Sequence, residues 1–342
     1  MPGKVRLTEL CRTYNDIFVD IRNVLRDMEI YQSSLEARLL LSSASGKSKE
    51  ELTRDMPLKV SKEIEDIAKS MLKRRRHGEP LAYITGEWEF YGLPIKVTRD
   101  VLIPRMDTEV AVTVAIEEAL KLGAGGRVLD LCCGSGCIGI ALAANTQNTK
   151  VTLADISNEA LKVAKGNVTM NNLGGRVTCV QTNVLETPRP FLGNFDIIVS
   201  NPPYIPTDDI AALDDSVKEF EPSLALDGGR DGMEYYRNIA LVWKRIIKPG
   251  GCLIFECGIG QSALVEYLLR ANEFEDIEKI RDSGGIERVV VGRMPDDSDD
   301  DTNDSEDIKD SLESGEDNIA AEDSYSGNKN KNIEGSQNSG ER

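Results

Sequence analysis

The 342-residue chain has one histidine, His77, few aromatic residues (5% of the sequence) and no long apolar run. Each shortage excludes a class of function. A Ser-His-Asp triad or a multi-histidine metal site would have to be built on His77, which follows Arg74, Arg75 and Arg76 directly, so both chemistries are set aside. No apolar stretch approaches the roughly 18–20 residues that span a bilayer. The start, MPGKVRLTELCRTYND, carries no apolar leader, and a cytoplasmic protein is expected. Seven cysteines, odd in number and scattered, fit a reducing compartment better than a disulfide scaffold. Cys132, Cys133 and Cys137 share one stretch without paired partners elsewhere; they read as small apolar packing, and no metal is expected.

Charge is unevenly placed. The chain holds 41 Lys plus Arg and 58 Asp plus Glu, a formal net charge of −17. Residues 295–342 have 16 acidic and 4 basic residues, net −12; residues 1–78 are net +4 and residues 79–294 net −9. The tail is rich in Asp, Ser, Asn and Gly, has little to bury, and is expected to be disordered. The remainder is long enough for one large core or two smaller ones.

Residues 4–28 and 31–42 place Leu7, Leu10, Cys11, Tyr14, Ile17, Phe18, Ile21 and Leu25, then Leu35 and Leu39 to Leu41, at helical spacing. A third helix is expected after an N-cap at Ser61, ending in the cations of residues 73–76. Residues 1–78 therefore read as a small helical bundle whose positive face suits an acidic partner or RNA as well as plain solvation. Residues 79–106 turn to aromatic and β-branched residues with turn signals, a hairpin linker. From 107 to 294 helix and strand alternate. Strands are expected at 127–131, 150–154, 176–181, 195–200 and 251–257, with a closing hairpin at 277–281 and 287–292. Helices are expected at 108–122, 137–145, 158–172, 233–247 and 261–272. Such alternation predicts an α/β fold, a mostly parallel sheet covered on both faces with a terminal antiparallel hairpin.

Two loops carry chemistry. Cys132-Cys133-Gly134-Ser135-Gly136 joins an apolar strand to a helix; small residues let backbone approach a ligand, and the open N–H groups of a helix start favour an anion. Asp155 ends the next strand about 20 residues on, where a carboxylate can take both hydroxyls of a ribose. After the fourth strand comes Asn201-Pro202-Pro203-Tyr204. Two prolines fix φ and remove two donors, leaving the Asn201 side-chain oxygen and the Pro202 carbonyl as acceptors. A pair of fixed acceptors suits an –NH₂ group, whose delocalised lone pair must be oriented before it attacks an electrophile. Tyr204 would stack on the planar target.

NPPY with DLxxGSG resembles the amino-methyltransferases that use S-adenosylmethionine. Three further stretches, EPLAYITG at 79–86, LIPRMDTE at 102–109 and EPSLALDGGRDG at 221–232, narrow the resemblance to the HemK/PrmC family over roughly residues 5–293. It implies a Rossmann-like class I methyltransferase domain behind a helical substrate-recognition domain. It also implies methyl transfer from S-adenosylmethionine to the side-chain amide nitrogen of the GGQ glutamine of peptide chain release factors. In that frame Cys132, Cys133, Gly134, Ser135 and Gly136 hold the methionine part of the cofactor, Asp155 its ribose, and Asn183 lies by the adenine. Asn201, Pro202, Pro203 and Tyr204 hold the glutamine amide, Asn201 also facing the cofactor, and residues 102–109 border it. Three departures stand out. Cys132 replaces the loop's usual first glycine and is expected to keep φ negative; Asn183 replaces an acidic residue; Met106 replaces a proline.

NPPY serves N6-adenine and N4-cytosine amines equally well, so a nucleic-acid methyltransferase is the rival enzyme. It would need a basic groove and a target-recognition domain, against −9 in residues 79–294 and one small added domain. A non-catalytic cofactor-binding module is the alternative of another class; intact Asn201, Asp155 and glycine loop argue against it. The expected state is a monomer without stable nucleic acid.

Overall fold

The computed structural model describes residues 12–123 and 125–296. The expectations for residues 4–11, with Leu7, Leu10 and Cys11, and for the tail beyond residue 296 lie outside the described residues.

The front of the chain is helical. α1 (Tyr14–Asp27) opens with a reciprocal cap: the Thr13 hydroxyl accepts from Asp16 N, and the Asp16 carboxylate accepts from Thr13 N. α2 (Ser33–Ser45) stops at Gly46, whose φ of 66° closes the helix in the left-handed region. α3 (Lys49–Asp55) has the same kind of cap between Ser48 and Glu51. The sequence reading has no counterpart for it, because a seven-residue helix that buries Leu52 and Asp55 shows no apolar period. α4 (Lys62–Arg76) starts at Ser61, whose hydroxyl accepts from Ile64 N. Ile17, Ile21, Leu25, Leu40, Leu41 and Leu52 form the bundle core. Two of the four cations closing α4 turn inward: Arg75 pairs with Glu36 and Arg74 with the buried Glu79.

α5 (Leu81–Thr85) occupies the beginning of the stretch read as a hairpin. Its Ile84 packs into the bundle core while Ala82 and Tyr83 pack into the core of the following sheet. The hairpin itself is β1 (Glu87–Phe90) against β2 (Leu93–Lys96), with Phe90 facing Leu93 across the turn.

The remaining elements are α6 (Thr108–Lys121), β3 (Arg127–Leu131), α7 (Cys137–Asn145), β4 (Lys150–Asp155), α8 (Asn158–Met170), β5 (Val177–Gln181), β6 (Phe195–Ser200), α9 (Asp215–Lys218), α10 (Glu234–Val242), β7 (Ile247–Glu256), α11 (Ser262–Ala271), β8 (Glu275–Arg281) and β9 (Glu287–Arg293). The strands form one sheet in the order β5-β4-β3-β6-β7-β9-β8. β3 to β7 run parallel, and β9 joins β7 and β8 antiparallel. Two apolar layers cover its faces, one around Ile138, Ile140, Leu142 and Leu153, the other around Leu129, Leu131, Phe195, Tyr236, Trp243 and Phe255.

The helix expected over 233–247 ends at Val242 and tightens into a 3₁₀ turn, Trp243–Ile246. Trp243, fully buried, donates its indole N–H to the Val184 carbonyl at 2.8 Å. β7 then begins at Ile247, four residues early, because Ile247 already pairs with Phe195 across a register shift.

Strand order reverses at β3: β4 and β5 lie on one side and β6 on the other. Loops leaving β3 and β6 diverge there, the place where open α/β sheets form a ligand crevice. One side chain fixes the near wall. Asn167 of α8, 0% exposed, accepts from Lys96 N at 2.7 Å and donates to Lys96 O at 3.0 Å and Ser135 O at 2.9 Å. It joins hairpin, helix and glycine loop in one polar knot.

The expectation that Cys132 keeps φ negative is overturned: its φ is +58°. The turn out of β3 needs a left-handed residue whatever stands there, because Cys133 N must reach the Ala154 carbonyl at 3.1 Å. A non-glycine residue there carries about 1–2 kcal/mol of backbone strain.

Two outcomes follow for urea denaturation. Asn167→Ala is expected to lower unfolding free energy by about 2–3 kcal/mol, since it strands buried groups at Lys96 and Ser135; a loss below about 0.5 kcal/mol would remove the knot from the account. Cys132→Gly is expected to be nearly neutral, relief of strain offsetting lost thiol packing and a freer unfolded chain, whereas Cys132→Val is expected to destabilise by about 2 kcal/mol. A valine as well tolerated as glycine would contradict the left-handed turn.

Candidate functional site

β3, β4, β5 and β6 are parallel neighbours, so the loops at their carboxyl ends open on one edge. Leu131 lies between Ala154 and Ser200 in register, and the Ser200 hydroxyl donates to the Leu131 carbonyl at 2.9 Å, pinning the roots of two loops. Between the loops is a cavity of about 370 Å³. Cys132, Cys133, Gly134 and Ser135 line it, together with Asp155, Asn183, Asn201 and Pro203. Gly136, Pro202 and Tyr204 are not in its wall.

The glycine loop is shaped by backbone limits. Gly134 and Gly136 have φ of +52° and +79°, and a Cβ on Gly136 would come within 2.8 Å of a Leu153 methyl. Gly136 also caps α7 without any side-chain hydrogen bond. The Asp130 carboxylate takes Gly139 N at 2.9 Å, and the Cys137 N–H at the very start of α7 is left without a capping oxygen among the described residues, where an anionic group is favoured. The Ser135 hydroxyl is buried with no partner among the described residues, a polar atom available to a ligand. Asp155 takes Gly134 N on one carboxylate oxygen and Ser157 N on the other, both at 2.9 Å. Each oxygen keeps a further lone pair, the requirement for accepting from two hydroxyls. Burial raises its pKa against these hydrogen bonds.

Asn183 spends its side chain locally, its oxygen accepting from Leu185 N at 3.0 Å and its NH₂ donating to Glu186 at 3.2 Å. The oxygen retains one lone pair. Ile156, Val184 and Leu185 line the same region, apolar surface that suits a planar ring. The cavity thus fits an anionic head, a vicinal diol and an aromatic base in sequence, the outline of an adenosylated amino acid.

On the other side, Asn201 donates its NH₂ to the Thr108 hydroxyl at 3.4 Å. Pro202 and Pro203 are buried. Among the described residues no donor is bonded to the Pro202 carbonyl. Tyr204 is held from behind: Gln261 Nε2 donates to its carbonyl at 2.9 Å, and a Cβ on Gly228 would lie 2.7 Å from its Cα. Ile205 N and Gly228 N exchange bonds with the Leu226 and Ile205 carbonyls. The 226–229 segment is therefore a backing strip for the Asn-Pro-Pro-Tyr loop, glycine-rich because backbone meets backbone. Burial pushes the Tyr204 phenol up to about 12, so it stays protonated.

Burial likewise raises the thiols of Cys133 and Cys137, the latter to about 12, which makes them inert packing groups. His77 lies outside the cavity wall; its Nδ1 meets the Lys73 carbonyl at 2.7 Å at the end of α4.

Several wall residues have no counterpart among the residues singled out from sequence: Arg99, Thr182, Ile156 and Tyr235. Leu102, Pro104, Arg105 and Thr108, from the 102–109 stretch, also line the cavity. A signal lies in the buried acids of the distinctive stretches. Glu79 is paired with Arg99, and Arg105 with Glu221, both acids being buried. Glu221 also accepts from Ile103 N. The 102–109 and 221–232 stretches are thus bonded to one another, and Glu79 of the 79–86 stretch is bonded to Arg99 of the cavity wall.

Comparison with known proteins agrees with this geometry. Residues 16–86 match the PrmC N-terminal domain and residues 108–220 the methyltransferase small domain. A release factor glutamine methyltransferase from Geobacter sulfurreducens is 40% identical over 80% of this chain and 94% of its own length. One from Clostridium botulinum is 34% identical over 81% and 98%. A solved structure of a release-factor-specific protein-(glutamine-N5) methyltransferase from Alicyclobacillus acidocaldarius is 28% identical, covering 59% of this chain and 99% of that one at a TM-score of 0.36. With both domains matched in order and nearly the whole length of its relatives covered, the chain belongs to the release factor glutamine methyltransferase family.

Proposed function

We propose that this chain transfers a methyl group from S-adenosylmethionine to the side-chain amide nitrogen of the glutamine in the GGQ motif of peptide chain release factors. The observation that carries the reading is the meeting of two loops on one cavity: Gly134, Ser135 and Asp155 on one wall, Asn201 and Pro203 on the other. The first set suits the cofactor, the second a planar amide. Ser135 and the start of α7 would hold the methionine part, Asp155 the ribose, and Asn183 with its apolar neighbours the adenine.

Bound S-adenosylmethionine supplies an electrophilic methyl group. The chain's own contribution is to orient the acceptor nitrogen. The Asn201 oxygen and the Pro202 carbonyl each take one N–H of the target amide and stabilise the positive charge that grows on nitrogen during attack. Nitrogen keeps the methyl and releases one proton, made acidic by the new charge, to water, so no histidine base is needed. Tyr204, its backbone fixed by Gly228 and Gln261, supplies the stacking face.

In this reading the front domain, residues 1–78, helps recognise the release factor, the hairpin linker at 79–106 joins it to the rest, and 107–294 perform the transfer. Among the described residues no helix is long and apolar enough to cross a membrane; the proposed setting is cytoplasmic and the proposed state monomeric.

The deciding assay offers labelled S-adenosylmethionine with unmodified release factor, with a release factor whose GGQ glutamine is replaced, and with DNA. Label is expected on the first alone. Label on DNA alone would transfer the chain to the nucleic-acid methyltransferases, and no cofactor binding at all would leave an interaction module. Within that assay, Asn201→Ala is expected to lower kcat by about 100-fold or more with cofactor affinity changed less than about threefold, because its contact strengthens as charge develops. Asp155→Ala is expected to weaken cofactor binding by about 10- to 100-fold by calorimetry. Reversal of those two patterns would overturn the division of the cavity.

A further inference from the structure

Asn201 can present either end of its amide to the cavity. Only one end works: the oxygen accepts a target N–H, whereas a flipped amide would set NH₂ against NH₂. Something must choose, and the proposed reaction does not by itself say what.

Two buried groups lie behind Asn201. Thr108, at the start of α6, is 2% exposed, and Glu256, at the end of β7, is 3% exposed. Asn201 Nδ2 donates to Thr108 Oγ1 at 3.4 Å. Glu256 adjoins both: the Thr108 hydroxyl and the Asn201 side chain each act against the rise that burial imposes on its pKa. Its Oε2 is buried without a partner among the described residues, and Glu256 is not in the cavity wall. The polarity of this triangle is forced. A carboxylate only accepts, so Thr108 must give it the hydroxyl proton. That leaves Thr108 Oγ1 with lone pairs alone toward Asn201. Both neighbours are then acceptors, and the Asn201 NH₂ is the only end that satisfies them.

We propose that Thr108 and Glu256 are positioning residues that lock the Asn201 amide with its oxygen toward the cavity. Glu256 lies outside the cavity wall and Thr108 at its edge; both act through Asn201. The inference rests on the methyl-transfer reading above.

Ionisation of Glu256 matters because a protonated carboxyl can donate to the wrong end of Asn201. Burial pushes this group up to about 7. The titratable and charged groups facing it are Arg288 from β9, Asp107 before α6, Tyr204, Tyr236 of α10, Cys137 and Cys257. Arg288 opposes the rise, and Asp107, to which it is paired at 2.8 Å, reinforces it. Being needed as a carboxylate, Glu256 is effective above its raised pKa and fails as pH falls through it.

The test uses full-length protein, release factor and labelled S-adenosylmethionine at saturating concentrations and pH 8. Thr108→Val, close in shape, removes both the acceptor for Asn201 and the donor to Glu256. It is expected to lower kcat by about 10- to 100-fold while cofactor Kd stays within about threefold, and Thr108→Ser is expected to restore most of the rate. In an Asn201→Ala background Thr108→Val is expected to change kcat less than about twofold, since the residue it acts through is gone. Glu256→Gln is expected to be slow and to lose the wild-type fall in kcat below about pH 7. A normal rate in Thr108→Val, an equal loss in the Asn201→Ala background, or a defect confined to cofactor affinity would overturn the proposal. Absence of methylation by the wild type would instead overturn the reading it rests on.

Discussion

An amide nitrogen shares its lone pair with the neighbouring carbonyl, and that single electronic fact sets what this structure must supply. Attack on a methyl group requires the lone pair to be aimed and the growing positive charge to be met by fixed acceptors within a few tenths of an ångström. A flexible loop cannot do this. Here the proposed acceptors, the Asn201 side-chain oxygen and the Pro202 carbonyl, stand at the end of a central strand, stiffened by two consecutive prolines, roped to the next strand by Ser200 and backed by glycines at 228 and 232. Gln261 and the 226–229 strip carry that support into α11 and α10. Rigidity at Asn201 is thus a property of the whole right half of the sheet.

The opposite wall obeys a different constraint. An approaching ligand needs open N–H groups, and these come from backbone that has been bent away from regular structure. Cys132, Gly134 and Gly136 all take positive φ, and the bend is held by the Asp155 carboxylate and by Asn167 from behind. The strain at Cys132 is affordable because the sheet beneath it is apolar and closely packed on both faces. Ion pairs in the same cause tie Glu79 to Arg99 and Arg105 to Glu221, so the linker and the 221–232 stretch cannot drift from the cavity mouth.

How much of this could be read from the residues depends on how far each interaction reaches. The strands were legible because apolar runs such as Phe195–Ser200 stand between clear turn signals, and the two loops because Gly134, Gly136, Pro202 and Pro203 declare their backbone. α3 and α5 were not, being too short to show a period. The sign of φ at Cys132 was misjudged because a local preference was weighed without the Ala154 carbonyl that Cys133 must reach. Thr108 and Glu256 are separated by 148 positions and meet only in the folded chain, beside Asn201, so no spacing rule could pair them. Charge gave a similar lesson: most of the formal −17 belongs to residues 295–342, and two of the four cations ending α4 are used inside the fold.

The central claim is that two acceptor oxygens recognise the two N–H bonds of the target amide. Its most direct measurement compares the affinity of the cofactor-loaded enzyme for a release factor with its GGQ glutamine and for one carrying glutamate there, alike in shape but with acceptor oxygens only. The account expects the glutamate form to bind at least about tenfold more weakly, because oxygens would face oxygens, and expects the gap to shrink in Asn201→Ala. Equal affinity for the two forms would contradict it.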